Sequence, residues 1–425
     1  MGGGLGELIL TSSARRAAHH HVDSPADFPP LRTVGGSPLP WRDVLPRPTD
    51  AGGAGPDSPF RRARRAGVRP ASKDRRRASG AAAGYLYGLA GHQPGPGLPG
   101  AGRPRLALNR KHSRGGWSGF ALRPALDANL LNLDAPDHTR LRRLVGPAFS
   151  PQRVAALRPR IQRTAEELAE TMVATGSPVD LVTGYCTPLS VQVIADLLGV
   201  PEAGRTDLRA WTDTMLTSYP PDRDAVRQAV VELHGYVVNL IEAKQQRPGD
   251  DLLSALVATE QEGDRLTRDE LTSLAFLILF AGYENTANLI ASTVLRLLDH
   301  GSLRGVRVSE AIEETLRLEP PAPAAIRRFP TEEMTIGGAT IPAGDTVLLS
   351  IAAATRGADG NPARLAFGNG PHYCLGAALA RVEAEEAITV LARRLPGLAL
   401  AVPGAPVRWR PTFRTHGPAE LLVAW

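Results

Sequence analysis

The residue with the clearest capacity for chemistry is Cys374, which lies in a glycine-rich loop immediately before a predicted helix. The loop reads Phe367-Gly-Asn-Gly370-Pro-His-Tyr-Cys374-Leu-Gly376. A helix N-terminus lowers the pKa of a thiol, a bound metal ion lowers it further, and glycines let backbone N–H groups approach the sulfur. The other cysteine, Cys186, lacks this sequence context, and we expect it to be a small buried hydrophobic residue. The sequence therefore indicates a metal-binding thiolate at Cys374.

A second candidate site follows the longest strongly apolar stretch of the chain, residues 274–282. That stretch ends in Ala281-Gly282 and continues as Tyr283-Glu284-Asn285-Thr286. A glycine inside a helix costs about 1 kcal/mol relative to alanine, so close approach of a small ligand is one reason for Gly282. The alternative is an ordinary core helix that contains one glycine.

Two pairs of polar residues have helical spacing. Glu314 and Arg317 are three residues apart, and His138 and Arg142 are four residues apart. Each pair therefore lies on one face of its helix. On a protein surface such pairs contribute little stability. In a site, an arginine and a histidine on one face can together donate charge-assisted hydrogen bonds to a carboxylate.

The pattern Phe-x-x-Gly-x-x-x-Cys-x-Gly resembles the haem-ligand signature of the cytochrome P450 family. Its fixed positions are filled by Phe367, Gly370, Cys374 and Gly376. The resemblance implies that Cys374 is the axial thiolate ligand of the iron in haem b (iron protoporphyrin IX), a ligand that favours O–O cleavage. Glu314 and Arg317 match the family's Glu-x-x-Arg pair, which is internal and ties its helix to the loop before the cysteine.

The resemblance also implies which residues hold the propionates of the haem. The segment that contains His138 and Arg142 is similar to the family segment in which these two residue types contact a propionate. Arg328, and His372 two residues before the thiolate, complete this set by the same resemblance. Arg327 competes with Arg328 as the arginine of this set.

The apolar helix resembles the family's oxygen-binding groove, Ala-Gly-x-(Asp/Glu)-Thr, with one departure. Ala281 and Gly282 occupy the groove positions, and Glu284 occupies the position of the acid that relays protons. Asn285 stands where the family has threonine, and the hydroxyl follows one residue later at Thr286. Three alternatives stay open for proton delivery: Asn285 with ordered water, a hydroxyl of the substrate, or Thr286.

Long amphipathic helices must position these residues. From about residue 125 the pattern is helical; Ser150-Pro151 is typical of a helix start, and apolar residues recur after it at steps of three and four. Further helices are predicted at about 187–198, 203–217, 222–246, 267–299, 308–318 and 376–394. Short strands separated by turns are predicted over 334–350. The fold class is mainly α with small β-sheets, and the resemblance implies the cytochrome P450 fold, a triangular helical prism.

The N-terminal quarter differs from the rest in composition. The first 100 residues contain 14 Lys or Arg, seven Asp or Glu, 17 Gly and 13 Pro. The remaining 325 residues contain 35 basic and 36 acidic residues, so the whole positive excess is N-terminal. We predict a haem domain over residues 99–425. Residues 1–98 form a basic Gly/Pro/Arg-rich segment that is disordered or translated from a displaced reading frame, so the N-terminal sheet of the family is missing or aberrant.

Composition narrows the class of protein. The net charge of +6 raises nucleic acid as a partner, but the basic run near residue 60 has no interleaved aromatic residues for base stacking. Two cysteines argue against a disulfide-stapled secreted scaffold and a four-cysteine zinc site. The apolar stretch is about half the length of a membrane span, and the start lacks a basic signal region. We expect a cytoplasmic protein that binds neither nucleic acid nor a membrane.

The resemblance implies a monooxygenase that uses O2 to hydroxylate or epoxidise a lipophilic small molecule. Its electrons are expected to come from NAD(P)H through a ferredoxin reductase and a ferredoxin, and the protein is expected to be a monomer. The alternative is a catalytically impaired haem-binding remnant, because the connections after His300 and after Arg356 are shorter than in the family. The segment 113–126 resembles the variable loop that shapes substrate specificity.

Overall fold

A computed structural model gives the structure of the chain. It describes residues 9–12, 31–33, 38–39, 106–108, 110–114, 129–217, 222–261, 263–336, 339–357, 362–410, 412 and 414–425. Most of residues 1–98 lies outside this set, and so does most of the predicted specificity loop, 113–126. The predicted domain boundary near residue 98 therefore stays a prediction.

Helices form most of the described chain, which confirms the predicted fold class. They are α1 (Asp137–Val145), α2 (Pro151–Thr175), α3 (Thr187–Leu197), α4 (Arg205–Thr217), α5 (Arg223–Gln246), α6 (Leu252–Val257), α7 (Arg268–Gly282), α8 (Glu284–Asp299), α9 (Val308–Leu318), α10 (Ile351–Gly357) and α11 (Ala377–Arg394). The bounds of α3, α4, α5, α9 and α11 agree with the predicted ones to within two residues. Pro151 begins α2, where its missing N–H has no helical acceptor to lose.

The helix that follows Cys374 is held along its length by a long neighbour. α11 packs against α2. Ion pairs join the two helices at their edges, including Arg158 to Glu385 at 2.8 Å and Arg394 to Glu170 at 2.7 Å. α8 packs on α9 and α11 and is buried on nearly all sides. The loop of Cys374 and the glycine-containing helix are therefore both anchored in the same core.

The helix predicted over 267–299 is divided in two, which corrects that prediction. It begins as predicted, with a capping box between Thr267 and Glu270. α7 ends at Gly282, and Tyr283, with φ −99° and ψ −47°, separates it from α8. The break falls beside the residue of lowest helix propensity in the segment. The hydroxyl of Thr286 donates to the Gly282 carbonyl at 3.0 Å, beside the break.

The strands are short and belong to several small antiparallel sheets. They are β1 (Ile9–Ser12), β2 (Leu31–Thr33), β3 (Pro38–Leu39), β4 (Leu106–Ala107), β5 (Val179–Asp180), β6 (Glu260–Gln261), β7 (Asp264–Arg265), β8 (Phe329–Pro330), β9 (Met334–Ile336), β10 (Ala339–Ile341), β11 (Thr346–Leu349), β12 (Ala399–Leu400) and β13 (Leu422–Ala424). β9, β10 and β11 confirm the strands predicted over 334–350. Through the pairing of Arg328 with Val347, β11 also holds one of the predicted site residues.

The N-terminal segment contributes to a sheet, which the sequence did not lead us to expect. The order of this sheet is β11-β1-β2-β3, and Ile9 and Ser12 of β1 pair with Leu349 and Thr346 of β11. Both alternatives for the family's N-terminal sheet, missing or aberrant, stay predictions. Strands of two to four residues show no clear alternation, and their partner lies at the other end of the chain, so local pattern does not reveal them.

One helical stretch, Arg268–Asp299, is long and apolar enough to cross a membrane. In the fold, 67% of its most apolar 18-residue part is buried inside the protein. This stretch is the core helix pair α7 and α8. Its side chains are apolar because most of them pack inside the protein.

The short turn between α8 and α9 leaves a depression on the outside of the molecule. Its volume is about 520 Å³, and its lining includes Leu303, Val306 and Ala392. None of the predicted site residues lines it. It is thus a separate feature from the candidate active site.

Candidate active site

The loop before α11 is closed by its own backbone. The N–H of Cys374 donates to the carbonyl of Phe367 at 2.9 Å, and the N–H of Tyr373 donates to that of Gly370 at 3.0 Å. Gly368 and Gly370 have φ of 78° and 73°, values that residues with a side chain rarely adopt. The glycines of the signature therefore permit the turn that presents the thiol.

The Cys374 side chain is accessible, although protein surrounds its sulfur. Its side chain is exposed, yet desolvation by the surrounding protein is the largest influence on its pKa, which is raised. The backbone N–H of Gly376 and the charges of Arg142 and Arg381 act in the opposite direction. The sulfur is therefore surrounded by protein atoms, while part of the side chain stays accessible. Cys186, in contrast, is fully buried, as expected.

Four basic side chains crowd together beside this loop. The rings of His138 and His372 lie 3.9 Å apart between centroids. The pKa of His372 is lowered to about 3, by burial first and then by His138, Arg328 and Arg142. The Nε2 atom of His138 and the Nε atom of Arg328 are buried and have no hydrogen-bond partner among the described residues. Asp134 is the carboxylate whose charge acts on His138 and Arg328, so basic groups outnumber acidic ones in the cluster.

Two further contacts distinguish the arginines of this cluster. Arg142 donates to the carbonyl of Tyr373 at 2.5 Å, so it ties α1 to the residue before the thiol. Arg327 donates to Oδ1 of Asn132 at 2.8 Å. Arg328 has backbone hydrogen bonds to Val347 in both directions, at 2.9 Å, while its side chain belongs to the basic cluster. The geometry favours Arg328 over Arg327 as the fourth base of the site.

A stripe along α7 and the start of α8 faces open space although the helices around it are packed. Leu277, Ala281 and Asn285, at steps of four, are partly or fully exposed, whereas Leu279 and Thr286 are buried. The stripe includes Ala281 and Asn285, two positions that the resemblance assigns to the oxygen-binding groove. Oδ1 of Asn285 is itself buried and has no hydrogen-bond partner among the described residues.

Glu284 lies beside this stripe but is turned toward the C-terminal segment. Its side chain is buried, and the hydroxyl of Thr415 donates to Oε1 at 2.8 Å. Burial raises the pKa of Glu284, while Thr415 and the charges of Arg414 and Arg410 act against that rise. Thr286, buried one turn into α8, donates to a backbone carbonyl as described above. Of the two polar side chains at 285 and 286, only Asn285 is on the accessible stripe.

Glu314 and Arg317 form the paired contact that their spacing predicts. Arg317 donates through Nε at 2.9 Å and through Nη2 at 2.7 Å to the two carboxylate oxygens. α9, which carries the pair, packs on the helical turn 362–367 that leads into the thiol loop. Arg381 also stacks over the Phe367 ring at 4.4 Å and donates to Glu313 of α9.

The residues present fit haem. An enclosed but accessible thiol beside a backbone N–H donor is a suitable thiolate ligand for iron. A buried cluster of bases with unsatisfied nitrogens suits the two propionate carboxylates that haem carries. Among the described residues there is no group of three or more His, Cys, Asp or Glu that would hold a metal ion without a macrocycle.

Known proteins share this combination of features. The family description "Cytochrome P450" matches residues 308–359. The chain is 41% identical to the cytochrome P450 monooxygenase PikC of Streptomyces venezuelae, over 71% of this chain and 77% of that protein. It is 39% identical to mycinamicin IV hydroxylase/epoxidase of Micromonospora griseorubida, over 70% and 79% of the two chains. The solved structure of cytochrome P450 PksS of Bacillus subtilis 168 superposes with a TM-score of 0.69 at 32% identity, covering 75% of this chain and 85% of that one.

The mainly helical fold and these relatives define the class of protein as a haem-dependent monooxygenase. The chain belongs to the cytochrome P450 family, and it is a P450 monooxygenase. The cofactor that this family implies is haem, in agreement with the fit of the residues.

Sequence reasoning missed the residues that approach the site from distant elements. Thr415, which bonds Glu284, lies in a C-terminal segment that carried no motif. The hydroxyl of Tyr283 donates to Asp213 of α4 at 3.1 Å, a link between the helix break and a separate helix. The only available signal was the polar character of residues 410–416 in an otherwise apolar terminus.

Proposed function

We propose that this monooxygenase hydroxylates or epoxidises a lipophilic small molecule, with electrons from NAD(P)H delivered by a ferredoxin reductase and a ferredoxin. The observation that carries the proposal is the accessible, enclosed thiol of Cys374 beside a buried cluster of bases. We place the enzyme in the cytoplasm as a monomer, with no nucleic acid or membrane as a partner.

The chain's own residues divide the work of holding the cofactor. Cys374 would supply the axial thiolate, supported by the Gly376 N–H, and Phe367 and Gly370 shape the loop. The propionates would be held by His138, Arg142, Arg328 and His372. When bound, haem supplies the iron at which O2 is activated. The surrounding protein keeps the thiol desolvated and leaves part of it accessible.

Proton delivery is assigned to the groove residues. Ala281 and Gly282 leave room beside the helix, and Asn285 is a partly exposed residue of the same stripe. Thr286 is engaged with a backbone carbonyl, so we assign the working position to Asn285 together with water. Glu284 is the buried acid that holds a proton next to this position.

The lipophilic character of the substrate rests on two observations. The accessible stripe carries two apolar side chains, Leu277 and Ala281. Relatives are named mycinamicin IV hydroxylase/epoxidase, vitamin D(3) 25-hydroxylase and 6-deoxyerythronolide B hydroxylase. We therefore propose a lipophilic secondary metabolite as the substrate.

The test of this function is spectroscopic first and enzymatic second. The reduced full-length protein with CO is expected to give the red-shifted absorption band of a thiolate-bound haem. Cys374→Ala is expected to abolish that band, and Cys186→Ala, at a buried cysteine away from the site, is the matched control that keeps it. An unshifted band in the unmodified protein would contradict the assignment of the ligand.

The second candidate, a haem-binding remnant without turnover, is favoured by one observation. The shortened turn after His300 leaves the outside of α11 open beside Val306 and Ala392, and α11 is the helix that follows the thiol. NADPH-dependent product formation with a surrogate ferredoxin and ferredoxin reductase separates the two candidates. A thiolate-haem spectrum without any product from a panel of macrolactones and steroids would favour the remnant.

A further inference from the structure

The contact between Glu284 and Thr415 joins two parts of the chain that are far apart in sequence. Both side chains are 6% exposed, and the 2.8 Å hydrogen bond between them is buried. A hydrogen bond to a charged group away from water is stronger than one between neutral groups. The hydroxyl of Thr415 therefore stabilises the ionised carboxylate of Glu284.

Thr415 has little freedom to move away from this position. The next residue, His416, donates its backbone N–H to the carbonyl of Pro321 at 2.7 Å. The residue after that, Gly417, lies so close to Asn288 of α8 that a Cβ atom would collide with the Asn288 side chain. These two anchors fix the segment against the helix that carries Glu284, so the orientation of the hydroxyl is imposed by the fold.

Two arginines of the C-terminal segment act on the charge of Glu284, and its neighbour Tyr283 contacts α4. Arg410 and Arg414, of the same C-terminal segment, lower the pKa of Glu284, and burial raises it by more. Tyr283 adjoins it in sequence, and Asp213 of α4 accepts a hydrogen bond from the Tyr283 hydroxyl. Among these contacts, Thr415 is the group hydrogen-bonded directly to the Glu284 carboxylate.

We propose that Thr415 is a positioning residue for Glu284: its hydroxyl holds the carboxylate against the C-terminal segment and sets the pH range over which Glu284 gains and loses its proton. The inference rests on the proposed role of Glu284 as the proton-holding acid of the groove. The site is thus completed by the C-terminal segment, which carries no part of the haem signature.

The experiment measures the protonation of Glu284 directly. Infrared difference spectra of the haem-loaded protein are recorded across pH, and the carboxylic-acid band of Glu284 is identified by its loss in Glu284→Gln. Thr415→Val removes the hydroxyl at nearly constant volume and is expected to move the midpoint of this band upward by about one pH unit. Thr415→Ser keeps the hydroxyl and is expected to restore the original midpoint.

Thr293→Val is the matched control, because Thr293 is a buried threonine of the same helix whose hydroxyl bonds the Leu289 carbonyl. It is expected to leave the midpoint unchanged. An unchanged midpoint in Thr415→Val, or an equal shift in Thr293→Val, overturns the proposal. The pH profile of product formation is expected to move in the same direction. If no variant forms product, the proposed function fails while the infrared midpoints still decide the role of Thr415.

Discussion

At the residue scale, positions 285 and 286 depart from the order that the family resemblance implies. Asn285 stands where the family has threonine; it is partly exposed, and its Oδ1 atom is buried without a hydrogen-bond partner among the described residues. The hydroxyl of Thr286 is buried and donates to the Gly282 carbonyl at 3.0 Å, beside the break between α7 and α8. An amide donates a hydrogen bond well but passes a proton on poorly, so water must complete the path.

We expect Asn285→Ala to lower the fraction of consumed NADPH that appears as product by several-fold, since the groove loses its polar group. The remainder should appear as hydrogen peroxide, measured in the same reaction. Thr286→Val should change this ratio less and should mainly lower thermal stability, because its hydroxyl serves the backbone. Equal product yields in Asn285→Ala and the unmodified enzyme would assign the task to a substrate hydroxyl.

A second residue, His416, makes stability depend on pH. Its ring stacks on Trp409 at 4.3 Å, and its buried Nε2 atom has no hydrogen-bond partner among the described residues. Burial, and after it Arg356, lowers the pKa of His416 to about 4. The unfolded chain binds this proton near pH 6.5, so stability is complete above that pH and falls as the pH drops toward 4.

The loss attributable to His416 is about 2–3 kcal/mol between pH 6.5 and pH 4. We expect His416→Gln to remove most of this loss. Urea unfolding at pH 7 and at pH 4.5 measures it, and His300→Gln, at an exposed side chain, is the control that keeps the original dependence. The same acid sensitivity in His416→Gln would show that other groups cause it.

At the element scale, α9 carries two arginine–glutamate pairs with the same spacing and different surroundings. Arg317 is 24% exposed and binds Glu314 through two nitrogens. Arg307 is 81% exposed and binds Glu310 at 2.8 Å. The first pair lies where α9 packs on the turn 362–367, and the second lies at the exposed start of the helix. Because both pairs have the same charges and spacing, a difference in what they contribute to stability reports the effect of their positions.

We expect Arg317→Lys to lower the free energy of unfolding by about 1 kcal/mol, because lysine cannot make the paired contact. We also expect a smaller fraction of the protein to show the thiolate-haem spectrum. Arg307→Lys should change the stability by less than about 0.5 kcal/mol. Similar losses in both variants would mean that the Glu314–Arg317 pair does not support the thiol loop.

Elements with a strong local pattern were predictable, and contacts between distant segments were not. The signature around Cys374, the helix start at Pro151 and the bounds of α9 all follow from residues within a few positions of one another. The break at Tyr283 and the Thr415 contact depend on side chains from other elements. The three N-terminal strands are too short to show a period, and their register is set by the distant β11.

At the scale of the whole molecule, the N-terminal segment is connected to the site through one strand. β1 pairs with β11 on one side, and Val347 of β11 pairs with Arg328 on the other. Val347 is fully buried. The N-terminal segment is therefore linked to Arg328 of the basic cluster through two sets of backbone pairings, β1 with β11 and Val347 with Arg328.

We expect deletion of residues 1–39 to lower the melting temperature of the haem-loaded protein by several degrees, since β11 loses a strand that pairs with four of its residues. Deletion of residues 1–8, which leaves β1 in the chain, should have little effect. Calorimetry of the three proteins measures both changes. Equal melting temperatures in all three proteins would show that the N-terminal segment does not stabilise the fold.

The basic cluster has a consequence for how the protein is made in a cell. Before haem arrives, the fold must bring His138, Arg142, Arg328 and His372 together with too little negative charge among them. A ligand that binds only the folded state shifts the folding equilibrium in proportion to its concentration. The yield of folded enzyme should therefore follow the haem biosynthesis of the host, and a haem-starved culture should accumulate chain that is removed by proteases.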